Sequence, residues 1–266
     1  MLKKKMVFLF DIDGTLAVDK SLYRGTKELL YYIRDIGGQA FFVTNNSTKS
    51  RRDYVAKFAD WEIETEAGQF MTASYASSLY LKKNYDGKKI FVVGTPSFVT
   101  ELKECGLHIV EQVEEDVDCV MVGFDASLTY EKAAAACELL FRENVDFIAS
   151  NPDYRCPSWF GFIPDCGAIC EMLRVTTNRE PLFIGKPNAG IVELCRQEAK
   201  AGKEAVIIVG DRLYTDIACG INAGVDTALV YTGEAKAEDL KTTDYQPTYA
   251  FDTIYDFYQE LQKAKE

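Results

Sequence analysis

The 266-residue chain contains a single histidine, His108. Ser-His-Asp triads, histidine-ligated zinc sites and phosphohistidine chemistry each require a histidine in a particular place, and one residue cannot meet all of these requirements. Apolar neighbours flank His108 in the alternation Leu-His-Ile, which is typical of a strand. We therefore expect His108 to be structural and the chemistry to rest on other side chains.

Positive charge is also scarce, because 30 lysines and arginines stand against 41 aspartates and glutamates. The resulting net charge of −11 gives a surface potential that opposes a nucleic-acid backbone or an anionic membrane leaflet. We therefore expect neither nucleic acid nor a membrane as a partner.

The eight cysteines lack the close, repeated spacing of small disulfide-rich or zinc-binding domains, and we interpret them as reduced thiols. Long apolar runs are absent as well. The apolar stretch at 6–10 ends at Asp11, and no run of 18 or more apolar residues follows. A membrane-spanning helix is therefore not expected, and the predicted location is cytoplasmic.

Short apolar strands alternate with longer helical patterns along the chain, which is typical of βαβ units and a mainly parallel sheet. Such units fill both ends of the sequence, and a strand predicted at 181–184 opens the C-terminal series. We therefore predict an α/β fold whose core is formed by residues 1–84 and 181–266.

The stretch between these two series is predicted to be an inserted α/β domain at 85–180. It has predicted strands and helices of its own, with its own residues that start and end helices. Pro96 fits the first turn of a helix and Gly106 fits the end of one.

Two carboxylates follow the first predicted strand directly, in the sequence Asp11-Ile12-Asp13-Gly14-Thr15. Side chains at positions i and i+2 of a strand point the same way, so Asp11 and Asp13 are expected to face one spot. Gly14 allows the chain to turn away sharply after them. Asp and Gly are also common in structural turns, so this motif needs support from elsewhere in the chain.

Polar residues also follow three other predicted strands at the point where each strand ends. Thr44 and Asn45 follow Phe-Phe-Val, Lys186 follows Leu-Phe-Ile-Gly, and Asp211 follows Val-Ile-Ile-Val-Gly, with Asp216 five residues later. Each has a structural alternative, as a helix start, a solvated lysine, a turn or a cap. In an open α/β sheet, however, ligands bind outside the carboxyl ends of the strands. We therefore expect a hydroxyl, a lysine and four carboxylates to meet in one crevice.

With these motifs the sequence resembles the haloacid dehalogenase superfamily of aspartate-nucleophile phosphatases. Four stretches resemble its NagD-type, p-nitrophenyl phosphatase-like branch: Thr44-Asn45-Asn46-Ser47, Ser150-Asn151-Pro152-Asp153, Gly185-Lys186-Pro187 and Gly210-Asp211-Arg212-Leu213-Tyr214-Thr215-Asp216. The resemblance covers nearly the whole chain and implies a Rossmann-like core with the inserted domain as a cap. One departure is Pro164-Asp165-Cys166-Gly167, where many relatives have Pro-Gly-Ala-Gly, and it concerns the local shape of a cap loop.

The resemblance implies a role for each of these residues. Asp11 is the nucleophile, since a carboxylate with a pKa of about 3.9 is ionised at neutral pH and needs no base to activate it. Asp13 protonates the departing alkoxide and then takes a proton from the hydrolytic water. Lys186 neutralises charge on the nucleophile and the phosphoryl group, while Thr44 and the main chain of Asn45 hold the phosphoryl oxygens.

The resemblance also implies a metal. Clustered carboxylates repel a phosphate dianion, so a divalent cation is needed, and oxygen ligands without nearby His or Cys favour Mg²⁺. Its implied ligands are the Asp11 carboxylate, the Asp13 main-chain carbonyl and Asp211. Asp216 lies next to these ligands without binding the ion directly. The predicted function is Mg²⁺-dependent hydrolysis of a small phosphate monoester, such as a sugar phosphate, a nucleotide or a similar metabolite, through an aspartyl-phosphate.

Three other functions are alternatives to this prediction. A kinase or NTPase is set aside because the chain has no GxxxxGK[ST] loop. A phosphotransferase or mutase would use the same aspartyl-phosphate and deliver it to a hydroxyl. A non-catalytic phosphate-binding or signalling module has no need for the leaving-group acid Asp13. The physiological substrate and the oligomeric state are left open by these motifs.

The loop at 151–165 is expected to recognise the part of the substrate beyond the phosphate, through Asp153, Arg155 and Trp159. Its aromatic residues either stack on a substrate ring or fill the core of the inserted domain. They are Tyr154, Trp159, Phe160 and Phe162.

Overall fold

The structure is a computed structural model that describes residues 2–158 and 160–266. Over these residues the strands are β1 (Val7–Phe10), β2 (Ala17–Val18), β3 (Ser21–Leu22), β4 (Gln39–Thr44), β5 (Phe70–Thr72), β6 (Lys89–Val93), β7 (His108–Val110), β8 (Val117–Val122), β9 (Asp146–Ala149), β10 (Arg155–Ser158), β11 (Gly161–Pro164), β12 (Leu182–Phe183), β13 (Val206–Gly210), β14 (Asp226–Val230) and β15 (Tyr249–Phe251). The α-helices are α1 (Thr26–Asp35), α2 (Arg51–Asp60), α3 (Ala73–Asn84), α4 (Pro96–Glu104), α5 (Tyr130–Leu140), α6 (Cys166–Thr177), α7 (Gly190–Glu198), α8 (Ala218–Ala223) and α9 (Ile254–Lys265). Short 3₁₀ helices lie at Leu2–Lys4, Ala67–Gln69, Lys203–Ala205 and Ala237–Lys241, and a π-helical turn at Leu213–Ile217 precedes α8.

The chain divides into two compact units. The first comprises the residues up to Thr44, together with Val55–Met71 and Lys186–Glu266. Its sheet has the strand order β15-β14-β13-β1-β4-β5. β1 pairs in parallel with β13 on one side and with β4 on the other. The carboxyl ends of these three central strands therefore meet at one edge of the sheet.

Aromatic side chains pack helices onto this sheet. Phe257 of α9 lies edge-to-face on Phe8 and Phe10 of β1, at centroid distances of 6.5 and 6.4 Å. Phe58 of α2 packs on Phe42 of β4 at 4.4 Å. Burying a side chain of this size contributes roughly 1.5–3 kcal/mol, so the strands that lead to the polar residues are firmly held.

The second unit comprises Asn45–Tyr54 and Thr72–Gly185. Its sheet has the strand order β12-β9-β8-β6-β7, and every described pairing in it is parallel. Leu139 of α5 and Leu173 of α6 belong to the apolar core on this sheet. An antiparallel hairpin is formed by β10 and β11.

The strand predicted at 181–184 belongs to this second sheet, whereas we expected it in the core. Leu182–Phe183 pairs in parallel with β9. The second unit also contains residues 45–54 and 72–84, which we had expected in the core. Such a short strand carries no signal for the sheet that it joins, because pairing depends on strands far away in sequence. The inserted domain at 85–180 stays a prediction.

The predicted α/β class with mainly parallel sheets is confirmed. Pro96 opens α4, as the sequence predicts, and Thr129 caps α5 by accepting a hydrogen bond from the Lys132 N–H. His108 is the exposed first residue of β7. All eight cysteines are free thiols. Among the described residues, no helix is both long and apolar enough to cross a membrane.

Candidate active site

Three buried aspartates come together in the first unit. Asp11 directly follows β1, Asp211 directly follows β13, and Asp216 lies in the π-helical turn Leu213–Ile217. One carboxylate oxygen from each lies within 4.8 Å of the other two. The three residues are only 9%, 3% and 1% exposed, respectively. Adjacent parallel strands β1 and β13 bring the first two together, because both strands end at the same edge of the sheet.

Lys186 lies among these carboxylates and is almost fully buried. Its Nζ donates hydrogen bonds to Asp11 Oδ1 at 2.6 Å, to Asp216 Oδ1 at 2.6 Å and to the main-chain oxygen of Val43 at 3.0 Å. The sequence placed Lys186 at the end of a core strand, but the preceding strand β12 belongs to the other sheet. Lys186 therefore reaches Asp11 by a route that the strand pattern did not predict.

The charges of this group do not balance, since three carboxylates share one ammonium group. Burial raises the pKa of Asp11 well above its usual value, against the opposing effect of Lys186. Burial and the neighbouring Asp216 carboxylate raise the pKa of Asp211 to about 6. Burial by itself would lower the pKa of Lys186, but Asp11 and Asp216 outweigh it and raise that pKa. Excess negative charge presented by oxygen atoms alone fits a divalent cation of the Mg²⁺ type.

Main-chain and hydroxyl groups orient Asp211. The Glu234 N–H donates to its Oδ2 at 2.8 Å, and the Thr15 hydroxyl lies 3.5 Å from its Oδ1. Gly14 has a φ of 98°, and a Cβ there would lie 2.7 Å from Asp211 Oδ2, so this position requires glycine. Sequence reasoning missed Glu234, because its contact uses a main-chain N–H that any residue could supply.

The Asp13 side chain lies outside the buried group. Its carboxylate is 50% exposed and accepts a hydrogen bond from Lys57 Nζ at 3.2 Å. We expected Asp11 and Asp13 to face one spot because residues i and i+2 of a strand do so. The strand ends at Phe10, however, so the two-residue period no longer applies. Lys57 lies on α2 and was not identified from the sequence.

The two predicted phosphate-binding residues are both buried, and they fall on either side of the division between the units. Thr44 is the last residue of β4 in the first unit, and Asn45 is the first residue of the second. Asn45 Nδ2 donates to Asp153 Oδ2 at 3.3 Å. Asp153 is itself only 7% exposed, which does not agree with the expectation that it contacts substrate.

The hairpin of the second unit exposes aromatic side chains. Tyr154, Phe160 and Phe162 are 62%, 61% and 52% exposed, so they do not fill a core. The Arg155 guanidinium lies over the Phe162 ring at 4.4 Å from its centroid. The predicted contact residue Trp159 lies outside the described residues.

Comparisons with known proteins agree with this chemistry. Residues 8–108 match the haloacid dehalogenase-like hydrolase family, and residues 183–257 match a family described as HAD-hydrolase-like. An acid sugar phosphatase of Staphylococcus haemolyticus is 36% identical over 256 residues, which are 96% of this chain and 96% of that protein.

Solved structures are similar over almost the whole chain. A 4-nitrophenylphosphatase from Thermotoga maritima is 35% identical with a TM-score of 0.92, covering 98% of this chain and 99% of that one. NagD from the E. coli K-12 strain is 30% identical with a TM-score of 0.86, covering 95% and 98%. The chain therefore belongs to the haloacid dehalogenase-like hydrolase family and is an enzyme, a phosphatase of the NagD type.

Proposed function

We propose that this phosphatase hydrolyses small phosphate monoesters with Mg²⁺ as its cofactor and Asp11 as its nucleophile. The observation that carries the proposal is the group of Asp11, Asp211 and Asp216 around the buried Lys186 ammonium. A buried group with excess negative charge is unfavourable by itself, and this supports the proposal that it binds a cation.

The residues that would hold Mg²⁺ are Asp11 and Asp211 through their carboxylates and Asp13 through its main-chain carbonyl, with Asp216 behind them. When bound, the ion would offset the negative charge of the carboxylates and of the phosphate dianion. Asp216 accepts hydrogen bonds from Lys186 Nζ at 2.6 Å and from the Arg212 N–H at 3.1 Å. This carboxylate is thus well placed to orient the lysine.

The proposed reaction has two steps. A carboxylate oxygen of Asp11 attacks phosphorus, the bond from phosphorus to the leaving oxygen breaks, and Asp13 gives its proton to that oxygen. Asp13 then takes a proton from a water molecule as that water attacks phosphorus. The bond from phosphorus to Asp11 breaks, which releases phosphate and restores both carboxyl groups. Lys186 stabilises the negative charge throughout, and Thr44 and the main chain of Asn45 hold the phosphoryl oxygens.

The proposed substrates are sugar phosphates, with 4-nitrophenyl phosphate as a generic substrate. The names of the acid sugar phosphatase and the 4-nitrophenylphosphatase support this choice. We further propose that the predicted cap at 85–180 supplies contacts to the rest of the substrate. Arg155 and Phe162 are its best candidates, because they present a cation and an exposed ring together.

The test is phosphate release from a panel of sugar phosphates, nucleotides and 4-nitrophenyl phosphate, with Mg²⁺ and with chelator. We expect release that needs Mg²⁺ and that Asp11→Asn abolishes, because asparagine has nearly the same shape but cannot form the acyl-phosphate. An added alcohol acceptor measures any transfer in place of hydrolysis. Full activity of Asp11→Asn, or turnover in metal-free buffer, would contradict the proposal.

A further inference from the structure

A buried polar network surrounds Asn45 in the second unit. Its side chains are no more than 7% exposed, and they are Asn45, Ser47, Ser150, Asn151 and Asp153. The last three lie directly after β9 in residues 150–153, here named the 150–153 loop. The hydroxyls of Ser47 and Ser150 lie 2.9 Å apart, and the Phe124 N–H donates to Ser47 Oγ at 2.8 Å. The network is thus tied to the sheet of this unit.

Two hydrogen bonds from the 150–153 loop hold Asn45. Asn151 Nδ2 donates to the main-chain oxygen of Asn45 at 2.7 Å. The Asn45 side chain donates to Asp153 Oδ2 at 3.3 Å. The loop is braced internally, because the Asp153 N–H donates to Asn151 Oδ1 at 3.0 Å. Since a residue has only two soft main-chain dihedrals, holding both its carbonyl and its side chain leaves only rotation about φ to change the direction of its N–H.

The same loop holds Gly185. The Gly185 N–H donates to the main-chain oxygen of Ser150 at 2.7 Å. A Cβ at this position would lie 2.6 Å from Asn45 Oδ1, so the close approach requires glycine. Asn45 follows Thr44 directly in the chain, and Gly185 directly precedes Lys186. The 150–153 loop therefore holds the residue that follows Thr44 and the residue that precedes Lys186.

We propose that Asn151 and Asp153 are positioning residues that hold the main chain of Asn45 in the orientation that binds the phosphoryl group, without contacting the substrate themselves. This inference rests on the proposed function. Its basis is that Asn151 and Asp153 are 1% and 7% exposed and direct polar atoms to Asn45. Removal of either side chain takes away one of the hydrogen bonds that hold a buried polar group of Asn45, which lets residue 45 turn toward other partners.

The test compares wild-type enzyme with Asp153→Ala, Asn151→Ala and Asp153→Asn. Tyr85→Phe is the matched control, because it deletes one hydrogen bond within the same unit, from the Tyr85 hydroxyl to Asp146 at 2.6 Å. For each protein we would measure the melting temperature, KM and kcat for 4-nitrophenyl phosphate and a sugar phosphate, and the affinity for inorganic phosphate by calorimetry in Mg²⁺.

Both alanine variants are expected to weaken phosphate binding and to raise KM by about tenfold, with a smaller fall in kcat, as a lost ground-state contact does. The factor should be the same for both substrates, because the contact is to the shared phosphoryl group. Asp153→Asn retains an acceptor oxygen and should recover most of the affinity. Tyr85→Phe should bind phosphate like the wild type.

Unchanged phosphate affinity in the folded alanine variants would overturn the inference. So would a loss confined to one substrate, which indicates direct contact with the leaving group, or a loss of equal size in Tyr85→Phe. Wild-type enzyme that hydrolyses no ester in Mg²⁺ would instead contradict the proposed function. The two failures are therefore distinguishable.

Discussion

In the second unit the buried carboxylates of Glu101 and Asp125 lie apart and each pairs with a different basic side chain, whereas in the first unit three buried carboxylates lie together around one lysine. In the second unit, Glu101 Oε1 lies 3.2 Å from Arg51 Nε, and Asp125 Oδ2 lies 2.7 Å from Lys132 Nζ. Each of these carboxylates has its own basic partner, so the charges balance locally. Such pairs are typical of structural roles.

In the first unit the balance is different, because Asp11 and Asp216 both contact Lys186 and Asp211 lies beside them. Lys186 and, near Asp211, Arg212 offset part of this negative charge, and burial raises the pKa of Asp11 and of Asp211. A protein retains an unfavourable arrangement of this kind where a ligand or reaction requires it. The comparison teaches that the number of opposite charges around a buried carboxylate is a better guide to function than burial alone.

The largest effect is expected from removing the shared lysine. Lys186→Met should lower phosphate release by about a hundredfold to a thousandfold. It should also destabilise the protein by about 3–5 kcal/mol, because buried carboxylates lose their partner. Lys132→Met should leave phosphate release nearly unchanged, since Asp125 keeps hydrogen bonds from the N–H and the hydroxyl of Ser127. Enzyme kinetics and urea unfolding measure both effects. Equal activity of the two variants would remove the distinction between the units.

Magnesium should stabilise the protein through the group of Asp11, Asp211 and Asp216 and not through Asp125. At a concentration of about 100 times its dissociation constant, Mg²⁺ should raise the free energy of unfolding by about 2.7 kcal/mol. We expect Asp211→Asn to lose most of this stabilisation and Asp125→Asn to keep it. Thermal unfolding with Mg²⁺ and with chelator is the measurement. A full Mg²⁺ effect in Asp211→Asn would show that the ion binds elsewhere.

The chelated protein should lose stability as the pH rises. The pKa of Asp211 is raised from 3.8 to about 6 by folding. The folded state then binds more protons than the unfolded state between these values, so this contribution is complete below about pH 4 and is lost as the pH passes about 6. The expected fall is on the order of 3 kcal/mol. Unfolding curves at several pH values should show it in the wild type but not in Asp211→Asn. Identical pH dependence of the two proteins would contradict the raised pKa.

The smallest effect is expected at the exposed hairpin. Arg155→Ala should change the ratio of kcat/KM between a sugar phosphate and 4-nitrophenyl phosphate by roughly twofold to fivefold, the size of an exposed cation–π contact. Arg52→Ala is the control, because Arg52 is also exposed in the second unit and pairs with Glu104 at 3.0 Å. A uniform loss for all substrates would assign Arg155 to folding or chemistry and not to specificity.

Residues near strand ends differ in how far the sequence predicts them. Asp11 and Asp211 each follow a central strand directly, and both lie where the pattern placed them. Asp13 is only two residues further along, yet its side chain lies outside the buried group because the chain has already left the strand. The two-residue period of a strand therefore predicts the direction of a side chain only for residues within the strand or directly after it.

By itself, the sequence determined the α/β class, the parallel strands and the residue types at their carboxyl ends, because apolar strands and turn residues are local signals. The tertiary structure alone decided that β12 joins the second sheet, that Lys186 nonetheless contacts Asp11, and that Asp153 is buried against Asn45. The last two features depend on contacts between residues more than 100 positions apart in the chain. No local pattern encodes such a contact, because it forms only when separate elements pack together.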